Sequence, residues 1–209
     1  MNVARRLAQA DVDEALREQL ARGRLPDLFL YTGRAEAGHW LSLDESPSFA
    51  VASDLTGLVR RRAGEVAELA PDGAALVGLG VGSGAKERAL LGALGRRCRR
   101  YLAVDVTEEL IERALAAAAD LPVPADGAVA GIEDLPHLLA DIRPPVLLCL
   151  LGNTFSNFEP DELLATVAGH LAAGDSFLFD CHLAPDAEAD VEDWRRRVEA
   201  AYGSDENAR

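Results

Sequence analysis

Gly78-Leu79-Gly80-Val81-Gly82-Ser83-Gly84 follows a short apolar run at 75–80 and leads into a stretch rich in Ala, Leu, Glu and Arg. A strand that ends in glycines and opens a helix can turn sharply, and its free N–H groups suit an anionic or polar ligand. The segment therefore predicts a nucleotide-type cofactor loop, with Gly80, Gly82 and Gly84 as its binding positions. The dinucleotide spacing G-x-G-x-x-G fits poorly, because Ser83 takes the place of the third glycine when counting starts at Gly78. A turn kept small only for helix–strand packing is the alternative.

Outward from the loop, short β-branched or Leu-rich runs alternate with helical stretches, the pattern of stacked βα units around a parallel sheet. Five strands are predicted, at 75–80, 101–106, 127–130, 146–151 and 176–181. Helices are predicted from near Lys86, after Thr107, near Leu135, after Glu159 and after Pro185. Thr107 is suited to cap its helix, with Glu108 and Glu109 at the positive dipole end, and Pro160 fits a first helical position. In the last helix Val191, Trp194, Val198 and Tyr202 share a face. Upstream, Val12, Leu16 and Leu20 line one helix, and Leu55, Leu58, Val59, Val66 and Leu69 line another whose Arg60, Arg61 and Arg62 form a solvated face. Between them, residues 24–49 have no clear period and read as a loop carrying Tyr31, Trp40 and Phe49.

The chain has 209 residues, 49% of them apolar, which is enough for one domain with a substantial core. A net charge of -14 disfavours nucleic acid, whose phosphates need a basic face. No apolar run approaches the roughly 20 residues that span a bilayer. Cys98, Cys149 and Cys181 lack CxxC spacing, so a reducing cytoplasm is the expected compartment. His39, His137, His170 and His182 are scattered without zinc-ligand spacing, and no metal is expected. The G-x-S-x-G elbow of a hydrolase is missing as well.

Asp105 ends the second predicted strand about 20 residues beyond the glycines, where a carboxylate can accept hydrogen bonds from both hydroxyls of a ribose. Its alternative is an aspartate that satisfies backbone donors where the next helix starts. After the fourth strand comes Leu151-Gly152-Asn153-Thr154-Phe155-Ser156-Asn157-Phe158-Glu159-Pro160, at the carboxyl edge where open α/β sheets bind ligands. This segment resembles the L-G-x-T-x-x-N-F-x-P stretch of the histidine-specific methyltransferase family of the ergothioneine-pathway type. The resemblance extends through residues 79–86, 104–109 and 173–175 to 200–202, and the glycine loop is similar to the x-G-x-G-x-G loop of S-adenosylmethionine-dependent methyltransferases.

The resemblance implies a Rossmann-like class I methyltransferase, an α/β fold with a parallel sheet, helices on both faces and an N-terminal helical segment. It implies S-adenosylmethionine as cofactor and N-methylation of a small amine, most simply an amino acid such as histidine. Carried over position by position, it puts Gly80, Lys86 and Gly152 against the cofactor and Asp105 on its ribose. Asn157 and Tyr202 then bind the substrate amino acid and align it for catalysis, with Tyr31 as a further substrate contact. Asn157 also reads as a cap or turn residue, Tyr202 as a packing aromatic and Lys86 as a solvated first-turn residue.

Several positions depart from the family pattern. Gly78 stands where many methyltransferases carry an acid that meets the cofactor's methionine amine. Gly131-Ile132-Glu133 replaces the family's G-D-F and leaves Glu133 or Asp134 to hold the adenine. The expected organisation is a helical cap over 1–70, a cofactor-binding domain over 71–184 and, over 185–209, a helix that starts a substrate domain. A sheet ending at the fifth strand leaves an edge for a second copy or a partner chain to cover. An NAD-dependent oxidoreductase shares the glycine loop and the ribose acid, and a truncated, non-catalytic cofactor-binding module is the further alternative.

Overall fold

A computed structural model describes residues 3–5, 9–23, 33–44, 50–181, 183 and 188–202. Its centre is a six-stranded, all-parallel sheet of β1 (Val3–Arg5), β2 (Ala75–Leu79), β3 (Arg100–Asp105), β4 (Ala125–Val129), β5 (Val146–Leu150) and β6 (Ser176–Phe179), in the order β1-β4-β3-β2-β5-β6. Every residue of β2 and β5 is buried, as expected of central strands covered on both faces.

Alternate side chains of these strands enter two cores. On one face Leu76, Tyr101, Ala103 and Cys149 pack against α3 (Ala50–Leu69), α4 (Ala85–Leu94) and α5 (Glu108–Ala117). On the other, Val77, Leu102, Val104 and Leu148 meet α6 (Leu135–Ala140) and α7 (Pro160–His170). The described helices are completed by α1 (Gln9–Ala21), α2 (Arg34–Asp44) and α8 (Glu188–Tyr202). All five predicted strands are present within one or two residues of their expected limits, and Pro160 opens α7 as predicted.

The first seventy residues differ from their expected two helices joined by a loop. Val3–Arg5 adds a strand beside β4, a segment too short to show a period in sequence. Residues 34–44 of the expected loop form α2, whose Ala37 is fully buried. The inward stripe of α3 is Leu55, Val59, Ala63 and Ala67, continued by Ala70 just past its end, whereas Leu58 and Leu69 are exposed. Small residues are what fit where α3 lies against α4, so the largest apolar side chains misreported the face. Arg60, Arg61 and Arg62 are exposed, as expected. Thr107 does precede α5, but its side chain makes no capping hydrogen bond there.

Strand order fixes where a ligand can sit. The chain passes from β2 outward to β3 and β4, then returns to place β5 on the other side of β2. Loops after β2 and β5 therefore diverge to opposite faces and leave a crevice between them at the carboxyl edge.

Candidate active site

The glycine loop starts from Leu79, which lies level with Val104 of β3 and Leu150 of β5. Gly80, Gly82 and Gly84 all have positive φ, at 63°, 52° and 73°, a backbone region that L-residues enter at a cost. Two of them are also places of close approach. A Cβ on Gly82 would lie 2.6 Å from the indole of Trp40, and one on Gly84 would lie 2.5 Å from the Cα of Ala114. Trp40 of α2 thus lies on the loop, which ties the N-terminal region to the site.

Asp105 is buried at the end of β3 and braces this loop. Its Oδ2 accepts the Gly82 N–H at 3.1 Å and its Oδ1 accepts the Val106 N–H at 2.8 Å. Burial raises its pKa to about 6 against the lowering effect of those backbone donors. The alternative reading of Asp105, satisfaction of local backbone donors, is therefore part of its role. The Thr107 N–H is a third backbone donor to this carboxylate, which leaves one of its roughly four lone-pair sites for a ligand hydroxyl.

The second wall is the turn after β5. Gly152 and Asn153 have φ of 91° and 63°, and residues 154–157 form a single 3-10 turn before α7. Three hydrogen bonds to Asp180, just past β6, hold it: Oδ1 and Oδ2 accept the Gly152 N–H at 2.8 and 3.0 Å, and Oδ1 accepts the Asn153 N–H at 2.7 Å. Phe155 anchors the turn from below, stacked on Phe179 with ring centroids 4.4 Å apart. The result is an exposed Asn157 on a pinned turn. Glu159 holds the capping position before α7, so Asn157 is not that helix's cap.

The two walls touch. A Cβ on Gly80 would lie 3.3 Å from Thr154 Cγ2, and one on Gly152 would lie 3.1 Å from Lys86 Nζ. Lys86 is only 2% exposed, so it is not the solvated first-turn residue that its position in α4 suggested. Its neighbour Glu87 is 1% exposed, and both of its carboxylate oxygens lack a hydrogen-bond partner. Sequence reading overlooked Glu87 and Asp180. A first-turn glutamate looks like ordinary dipole complementation, and a strand-end aspartate shows its partners only once β5 and β6 are side by side.

The remaining candidates lie apart or undescribed. Asp134 is occupied within its own turn, accepting the Gly131 N–H at 3.2 Å, while Glu133 is exposed and folds back over Gly131. Tyr202 is in the last turn of α8, but its side chain lies outside the described residues, as does the whole of Tyr31.

Removing the Asp180 brace gives a direct check on this geometry. Hydrogen bonds to a charged acceptor contribute roughly 1.5–3 kcal/mol each. Asp180→Ala is accordingly expected to speed amide exchange at Gly152 and Asn153 at least about tenfold, with little change in the β2 amides, as read by hydrogen-exchange mass spectrometry or NMR. Unchanged protection at both amides would show that the turn holds itself.

Comparison with known proteins bears on the fold and the cofactor. A family model described as histidine-specific, SAM-dependent methyltransferase matches residues 8–208. No curated protein matches the chain. Among solved structures, the plantazolicin methyltransferase BpumL, solved with a monoazolic desmethylPZN analog and SAH, aligns with a TM-score of 0.54 at 14% identity, covering 94% of this chain and 68% of that one. The CurJ carbon methyltransferase aligns with a TM-score of 0.53 at 16% identity, covering 93% of this chain and 46% of that one. The chain thus spans about two-thirds of the first structure's length and under half of the second's. At these identities the likeness establishes the fold, a Rossmann-like class I methyltransferase. Among the described residues no helix is long and apolar enough to cross a membrane. With the family model spanning nearly the whole sequence, the chain belongs to the histidine-specific, S-adenosylmethionine-dependent methyltransferase family.

Proposed function

We propose that the chain transfers a methyl group from S-adenosylmethionine to the amine of a small substrate, most simply an amino acid such as histidine. The observation that carries this reading is the abutment of the glycine loop on the Asn157 turn, at Gly80 and Thr154. It brings a cofactor cradle and an exposed amide side chain to one crevice.

The residues present suit this cofactor. Gly80 offers exposed backbone without a side chain of its own, Asp105 offers an acceptor for ribose, and Lys86 beside Gly152 offers a cation for the methionine carboxylate. Glu133 and Asp134, beyond β4, are the acids nearest to hand for the adenine. When bound, the cofactor supplies an electrophilic methyl group on a sulfonium.

For the protein, the task is alignment. An in-line displacement needs the substrate nitrogen held behind the methyl carbon with its lone pair free, and orientation of this kind is a large part of the rate gain. Asn157 suits such work because its carbonyl accepts from an amine and its NH2 donates to a carboxylate. Tyr202 adds a hydroxyl donor and Tyr31 a further contact to the same substrate. In this reading the cofactor domain occupies 71–184, a cap occupies 1–70, and the part over 185–209, with α8, helps to recognise the substrate.

Asn157→Ala is expected to leave S-adenosylhomocysteine affinity within about threefold of wild type while removing most methyl transfer, on the order of a hundredfold for two lost hydrogen bonds. Calorimetry and a mass-spectrometric product assay check the two halves. Equal loss of cofactor affinity in Asn157→Ala and Asp105→Ala would make Asn157 a cofactor or structural residue.

A further inference from the structure

Glu87 lies inside the molecule at the foot of the glycine loop. A Cβ on Gly78 would lie 2.8 Å from Val81 Cγ1, 3.1 Å from Glu87 Cγ and 3.5 Å from its Oε1, so Val81 and the Glu87 side chain together fill the space that a side chain at 78 would occupy. Both oxygens are buried without a hydrogen-bond partner, and so are the hydroxyls of Tyr101 and Ser83. An unpartnered buried carboxyl group is costly in either protonation state and far costlier when ionised. A structural role would ordinarily give it donors. Such a group at a binding loop points instead to a ligand that provides them.

The neighbourhood narrows the ligand to a cation. Lys86 is the basic neighbour of Glu87, and its ammonium is directed to Gly152 on the far side of the crevice. Acidic or neutral groups face Glu87 from the other elements, namely Asp105 and Tyr101 of β3, Cys149 of β5 and Asp180 beyond β6. Lys86 and Glu87 are successive residues, so their side chains leave α4 about 100° apart. One reaches Gly152 and the other lies under Gly78. The pair offers separate positive and negative charge at one helix start, complementary to the carboxylate and ammonium of a free amino acid group.

We propose that Glu87 supplies the negative charge that receives the α-ammonium of the cofactor's methionine moiety, doing from α4 what Gly78 cannot do from β2. Burial raises the Glu87 pKa to about 7 in the ligand-free chain. Arrival of an ammonium favours the ionised form, so binding releases a proton near neutral pH. The inference rests on the cofactor assignment, and wild-type affinity for S-adenosylhomocysteine tests that assignment separately.

The test pairs S-adenosylhomocysteine with its analogue in which hydrogen replaces the α-amino group. Wild type is expected to bind the parent at least tenfold more tightly, and Glu87→Gln is expected to lose that preference while its affinity for the analogue stays within threefold. Titration of the wild type at pH 7 in two buffers of different ionisation enthalpy needs no variant. It is expected to show more proton release with the parent ligand than with the analogue, a comparison in which any response of Asp105 to ribose cancels. Equal weakening of both ligands by Glu87→Gln, or equal proton release with the two ligands, would overturn the proposal and leave Glu87 a packing residue.

Discussion

Asp105→Ala is expected to weaken S-adenosylhomocysteine binding by at least about a hundredfold. Two losses combine. The Gly82 and Val106 amides lose the carboxylate that orders the loop, and the ribose loses an ionic acceptor whose hydrogen bonds contribute roughly 1.5–3 kcal/mol each. Asp105→Asn separates the effects, since it keeps the volume and one acceptor oxygen but not the charge. The raised pKa of about 6 adds a sign that can be checked. Ribose hydroxyls are accepted best by the ionised form, so wild-type affinity for the S-adenosylhomocysteine analogue without the α-amino group, which bypasses Glu87, should fall as pH is lowered through about 6, and Asp105→Asn should not show that fall. Calorimetric titration across pH measures both, and binding at wild-type strength by Asp105→Ala would remove Asp105 from the cofactor site.

Gly84→Ala has the second largest expected effect, on folding. Gly84 sits at φ 73°, and an added methyl would lie 2.5 Å from backbone, the Cα of Ala114 in α5. The left-handed conformation costs about 1–2 kcal/mol for an L-residue and overpacking about 1–3 kcal/mol more. A fall in Tm of about 10 °C is therefore expected for a chain of this size. Gly92 in the same helix is the control, because it has ordinary φ and no atom within 4 Å of a built Cβ. Gly92→Ala should stabilise the helix by about 0.5–1 kcal/mol. A Tm for Gly84→Ala equal to that of wild type would show that α4 and α5 are not packed through this glycine.

Much of this was legible before any coordinates. Strands β2 and β5 announce themselves because burial on both faces demands an uninterrupted apolar run, and the glycines between β2 and α4 mark the turn that such a strand must make. The placement of Asp105 at a strand end followed from counting along those elements, and that of Asn157 in the turn after β5 from the resemblance to a family motif. What the chain hides is whatever depends on distant partners. Asp180 reads as one more acid until β6 sets it against the Gly152 and Asn153 amides. Glu87 reads as a first-turn carboxylate until the strand beneath it is found to lack a side chain at Gly78. Trp40 has no periodic company to give α2 away, and its contact with Gly82 comes from tertiary packing alone. Likewise α3 turns alanines inward and leaves Leu69 exposed, against the order that hydrophobicity alone would choose.

The most direct test of the central claim is calorimetric titration of the whole chain with S-adenosylhomocysteine, with NAD in parallel. The account predicts saturable binding of S-adenosylhomocysteine and none of NAD. Binding of NAD alone, or of neither, would contradict it.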